Sequence, residues 1–324
     1  MSHEVESMMY VGATPWHGLG EFCGDEPLTS EEAIIKAGLD WEVSKVPLWA
    51  CHESEEDMSP IHTHMAIRRD TDHEVLGVVG TRYQPVQNRE AFQFMDALVE
   101  AGEMKYHTAG SLRNGQRIFL LGKIGSSEVV PNDKVDHFLF LYNTHDGSGA
   151  LRCLFTQVRV VCANTARLAL SAGKKEGVYL KHTANIKDRL EEARKILGIA
   201  RNEFDAFDEF MKSMSSIGMN AEMVDTYLNS LIPDNEEAER NTRTENQRGE
   251  LLNLFENGVG MDIKGVGGTM WGAYSATVEY VNFHRGTRSD NGQAQAKRFE
   301  SSMFGSGNGM IQKSVEILSD MASA

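Results

Sequence analysis

Apolar positions along the chain change period several times, and each change predicts an element. LTSEEAIIKAG repeats at helical spacing, with Thr29 or Ser30 as cap, Glu31 and Glu32 in the first turn and Gly38 as stop. DWEVSKVPLWA, HTHMAIRRD and EVLGVVG alternate or are rich in β-branched residues between turn residues, which predicts strands, and TRYQPVQ closes that group. NREAFQFMDALVEAG returns to helical spacing, capped by Asn88 and ended by Gly102. Residues 104–124 read as a β-hairpin around Asn114-Gly115, the dipeptide that best accepts two positive φ angles. VDHFLFLYN, the turn HDGSG and LRCLFTQVRVVC extend it into an antiparallel meander. ANTARLALSAG then predicts a helix, with Asn164 or Thr165 as cap and Gly173 as stop.

From Ile186 the text is helical: IKDRLEEARKILGIARNEFDAFDEFMKSMSSIG and AEMVDTYLNSLI keep three- and four-residue spacing, PDNEEAERNTRTENQRGE is a polar linker or helix entry, and a Gly/Ser break precedes the last helix. The expected fold class is α+β: an antiparallel β-meander with packed helices, a β-β-β-α core, followed by a helical C-terminal module. Residues 1–185 form the mixed part and residues 186–324 the helical one.

Hydrophobic residues make up 41% of the 324, enough for a sizeable core, yet runs such as AYSATVEYV fall far short of the roughly 20 residues that span a bilayer. No membrane partner is expected. MSHEVESMMYVGATPWHGLG lacks the basic start and apolar run of a secretory leader, so the expected compartment is the cytoplasm. Cys23, Cys51, Cys153 and Cys162 lack paired spacing and are expected to be reduced, with no chemistry assigned to them.

Charge divides the chain. Net charge is −15, but residues 1–59 hold 2 Lys/Arg against 13 Asp/Glu, whereas residues 105–190 hold 13 against 6, so positive charge concentrates on the meander and its sequel. Arg113, Arg117, Arg152, Arg159, Arg167, Lys174 and Lys175 then form a candidate polyanion site, with Tyr106, Tyr142 and Tyr179 as stacking surfaces. Arg152 and Arg159, an odd number of residues apart, should face opposite ways, which puts the site at a strand-to-helix junction and not on one flat face.

Other candidates have plainer explanations. His62 and His64 share a strand face near Cys51, His52 and His73, a weak metal signal without tightly paired ligands. Asn143, His145 and Asp146 beside Gly147 are what a tight turn requires. KGVGGTMWG and FGSGNG suggest phosphate cradles at helix starts but match no nucleotide fingerprint. Trp16-His17-Gly18-Leu19-Gly20 reads as a docking segment of unassigned role.

PWHGLG, TRYQPVQN, AGSLRNGQRIF, YNTHDGSGALR, RVVCANT and FGSG resemble, end to end, a family of phage- and plasmid-borne proteins long catalogued as a domain of unknown function. Residues 104–173 are also similar in element order to phage single-strand annealing proteins of the RecT, Erf and Sak types. Taken with the basic strand-to-helix unit, the annealing-protein resemblance leads to the expectation of a non-enzymatic phage protein that binds and anneals single-stranded DNA during recombination and works as a homo-oligomer in the host cytoplasm; no cofactor or metal is expected. The alternative is a phage interaction protein that sequesters a host defence component through its acidic surfaces.

Overall fold

A computed structural model of the chain describes residues 5–12, 20–26, 28–52, 57–149, 151–159, 164–168, 178–179, 186–234, 242–286 and 294–324. The elements in the first third are β1 (Val5–Tyr10), β2 (Glu21–Phe22), α1 (Ser30–Lys36), β3 (Val43–Cys51), β4 (Met58–Arg69), β5 (Val75–Gly80) and α2 (Asn88–Glu100). The meander follows as β6 (Lys105–Leu112), β7 (Arg117–Val130), β8 (Asp133–Thr144) and β9 (Arg152–Arg159), with β10 (Asn164–Leu168) and β11 (Val178–Tyr179) after it. Helices complete the chain: α3 (Ile186–Ser216), α4 (Ala221–Leu231), α5 (Thr242–Asn257), α6 (Met270–Glu279) running into a π-helical turn (Tyr280–His284), α7 (Ala294–Phe304) and α8 (Ser306–Ser323).

This is an α+β fold with a helical C-terminal region. The large sheet has strand order β10-β9-β8-β7-β6-β1-β2, with β11 on the same edge of β9 as β10, and β3-β4-β5 form a smaller antiparallel sheet. Local chemistry sets several of these elements. Thr29 and Glu32 form a reciprocal capping box at the start of α1. Asn114 (φ 53°) and Gly115 (φ 82°) occupy the left-handed region, and Gln116 N–H donates to the Arg113 carbonyl at 3.1 Å, which closes the β6–β7 hairpin.

Two expectations need correction, and one strand was not foreseen. Residues 164–168 are strand and not helix: Asn164 to Leu168 pair in register with Arg159 back to Phe155, so the unpaired edge of β9 overrides the local helical pattern. The switch to helix comes at Ile186. At the N-terminus, Val5–Tyr10 is a strand paired with β6, burying Met8 on one face of the sheet and Met9 on the other. The Gly/Ser break before the last helix shrinks to Gly305, because Ser306 to Gly309 are already helical. A Cβ on Gly307 would lie 2.8 Å from Val281 Cγ1 and 3.0 Å from the Ser301 carbonyl, so only glycine lets α8 approach this closely.

Helices cover both faces of the large sheet. On one face Leu139, Leu141 and Phe155 join Phe92, Phe204, Phe207, Trp271 and Tyr274 in one cluster that runs on through the helical region to Leu318. Polar groups tie the same layers, since the Trp271 indole N–H donates to Asp133 at 2.6 Å and Gln157 donates to the Tyr274 hydroxyl at 3.3 Å. On the other face Phe119, Leu121, Phe138, Phe140, Tyr142 and Leu154 meet Phe299 and Met303 of α7. Four residues apart, Phe299 and Met303 give α7 one sheet-facing stripe and leave its other side for a different contact.

Candidate functional site

Among the described residues, the basic side chains expected on the meander have neighbours within the fold or lie at its hairpin tip. Arg117 lies beside Asp146, 3.9 Å between Nε and the carboxylate, and Arg152 lies over the Tyr142 ring at 5.9 Å to its centroid. Arg113 is exposed at the hairpin tip. Tyr142 is 3% exposed within the Phe119–Phe140 cluster, and Tyr106 is 2% exposed, its hydroxyl donating to Asp96 at 2.8 Å and the Phe92 carbonyl at 3.1 Å. A base stacks only on a ring that solvent reaches, so neither tyrosine offers a stacking surface in this conformation, a correction to that expectation. Arg159 and Arg167 stand opposite Val135 and Thr156 in the sheet register, and Tyr179 stands opposite Arg152. The side chains of Arg159, Arg167 and Tyr179, all of Lys174 and Lys175, and the Trp16-to-Leu19 segment lie outside the described residues.

The turn triplet has structural partners. His145 is buried, faces Asn88 Oδ1 through Nε2 at 2.9 Å, and is pushed down to about 4 by burial, Asp146 opposing this. Asn143 donates to the Val86 carbonyl, and Asp146 accepts from Ser148 N–H in an Asx turn. His62 and His64 are exposed on β4, and among the described residues no three His, Cys, Asp or Glu side chains gather as a metal site. Ser127, His137 and Asp208 do meet, but both Ser127 Oγ (3.1 Å) and Asp208 Oδ1 (3.4 Å) approach the same nitrogen, Nε2. A nucleophile relay needs them on opposite ring nitrogens, so this is a buried structural cluster.

A different set of cations does converge. Arg243 and Gln247, one turn apart on α5, face Lys297, Arg298 and Ser301 of α7 across a cavity of about 220 Å³, which Val281, Arg285, Gly286 and Ser306 complete. Arg285 leaves the π-helical turn, and its carbonyl accepts from Arg298 Nε at 3.0 Å. Its Nη1 is buried and has no hydrogen-bond partner among the described residues. Ser306 opens α8, whose N-terminal end adds partial positive charge. No ion pair joins any of the four cations to a carboxylate among the described residues. Glu250, on the same helix as Arg243 and Gln247, is engaged with His284 at 3.2 Å. Beneath the pocket, burial raises the Tyr280 hydroxyl above its usual range, Glu250 adds to this, and Gln247, Arg285 and Arg243 oppose it.

Residue counts hide this site. Its cations span residues 243–298 on three elements, inside a region (201–324) with 11 Lys/Arg against 19 Asp/Glu, so a count over the whole region hides it. The usable signal was local: residues 285–310 carry 4 basic against 2 acidic residues and end in FGSGNG, already suspect as a phosphate cradle.

Residues 75–303 match the family model described as Domain of unknown function (DUF932). The chain belongs to this family. The DUF932 span contains the meander and the pocket cations Arg243, Arg285, Lys297 and Arg298, and stops short of Ser306. No curated protein and no solved structure matches the chain, and membership of DUF932 carries no link to strand-annealing proteins.

Proposed function

We propose that the protein binds single-stranded nucleic acid through its phosphates and performs no chemistry on it. The observation that carries this reading is the cluster of four cations around one cavity, with Arg285 Nη1 buried and lacking an acceptor. A buried guanidinium nitrogen without a partner is costly, and a phosphate oxygen is the acceptor that a planar, permanently charged group takes best. Arg113, exposed at the hairpin tip, adds a further backbone contact. Phage recombination and strand annealing by a homo-oligomer in the host cytoplasm are the setting that the resemblance suggests for such a binder, and they belong to the same proposal.

The test is a fluorescence-anisotropy titration of a labelled single-stranded oligonucleotide at low and moderate salt. Affinity should fall with salt, with a log–log slope of about −0.7 for each phosphate engaged. Absence of binding, or binding indifferent to salt, ends the reading.

A second reading, a phage protein that captures a host protein, is favoured by one observation: Trp49, Met58, Ile61, Val75 and Val78 are exposed on the three-stranded sheet, within and beside the acid-rich first 59 residues. If Trp49→Glu abolished the protein's effect in the host while Arg285→Ala left it intact, this reading would replace the first.

A further inference from the structure

The size and charge of the pocket are poorly suited to an internal stretch of backbone. At about 220 Å³ it is smaller than the roughly 300–1,000 Å³ of sites that enclose a whole cofactor, and it has room for one compact group. An internal phosphodiester carries a single charge, whereas a terminal phosphomonoester carries about −1.5 to −2 near neutrality and has three strong acceptor oxygens. Arg243, Arg285, Lys297 and Arg298 ring the space, Ser306 brings in the first turn of an 18-residue helix, and among the described residues no carboxylate pairs with any of them. Mutual repulsion within such a ring is best relieved by a compact dianion, and Arg285, which lines the cavity, carries an Nη1 donor that no described group accepts from.

We propose that this pocket takes a dianionic phosphomonoester, the chemistry shared by a phosphorylated strand end and a free nucleoside monophosphate. The inference rests on reading the pocket as a phosphate site. It goes further by specifying a monoester over a diester. Val281 and Gly286 line the cavity without contributing side-chain donors, so recognition centres on the phosphate, with Gln247 and Ser301 as neutral hydrogen-bonding neighbours.

Calorimetric titration of the full chain separates the possibilities. The probes are one oligonucleotide with a 5′-phosphate, a 3′-phosphate or hydroxyls at both ends, a nucleoside 5′-monophosphate, and a dinucleotide without a terminal phosphate. A terminal phosphate should tighten strand binding roughly tenfold, and Arg285→Ala should erase that preference. Arg243→Ala, at an exposed position, gives the same readout with little risk to folding. A monophosphate that matches the phosphorylated strand in affinity identifies the free nucleotide as the source, and one that binds much more weakly identifies the strand end. Equal binding of phosphorylated and hydroxyl-ended strands overturns the inference and leaves nucleic-acid binding standing. Monoester binding without strand binding does the reverse, and no binding of any probe removes both.

Discussion

The meander and the helical pocket both collect arginines, and they use them differently. On β7 and β9 the guanidiniums have neighbours within the fold: Arg117 beside Asp146 and Arg152 on the Tyr142 ring. In the pocket, Arg243, Arg285, Lys297 and Arg298 line one cavity, and among the described residues the buried Nη1 of Arg285 has no acceptor. Density of positive charge along a chain therefore says little about availability. A cation on a sheet that is covered on both faces finds an internal partner, whereas cations at a junction of helix ends can remain unneutralised.

Acid should affect the sheet far more than the pocket. His107 and His145 are each pushed down to about 4, burial being the main cause, while the unfolded value is 6.5. Between those values the unfolded chain binds more protons, so stability is fully present above about 6.5 and declines as pH falls toward 4, on the order of 1.4 kcal/mol per pH unit per histidine. Urea unfolding at pH 7, 5.5 and 4.5 checks this, and a flat profile would mean these histidines are not buried as described.

Removing a meander ring should unsettle the fold and spare the ligand. Tyr142→Ala is expected to cost about 3 kcal/mol in chemical denaturation, with oligonucleotide affinity per folded molecule unchanged. The pocket should show the opposite pattern: Arg285→Ala combined with Arg298→Ala should weaken strand binding by about tenfold or more, with a smaller salt slope, at little cost in stability. If Arg117→Ala and Arg152→Ala weakened binding as much as the pocket pair, the two regions would not differ in the way argued. The smallest effect is expected from Tyr106→Phe, which removes the hydroxyl from Asp96 and the Phe92 carbonyl: about 1 kcal/mol of stability and no change in binding.

Where sequence and structure agree, the chemistry is local. Thr29 with Glu32, and Asn114 with Gly115, each specify their geometry within four residues. The α+β class and the meander followed from such signals. β1 was missed because it is buried on both faces, Met8 toward one cluster and Met9 toward the other, which removes the alternation that marks a strand. β10 was misread because its pairing with β9 outweighs its own helical pattern. Tyr106 and Tyr142 looked like platforms because sequence reports an aromatic ring and not what covers it. The pocket was illegible for a related reason: α5, the π-helical turn and α7 bring together side chains up to 55 positions apart.

The π-helical turn at Tyr280–His284 sets the phase of everything after it. Each residue of an α-helix advances the axis by 100°, and a π turn carries one more residue than the helix around it. Here the turn closes through the Arg285 N–H, which donates to the Tyr280 carbonyl five residues back at 2.7 Å, so the wide turn itself fixes where Arg285 leaves the helix beside the cavity. The protein keeps a slightly awkward helix end, and with it the angular setting that turns four scattered cations into one ring.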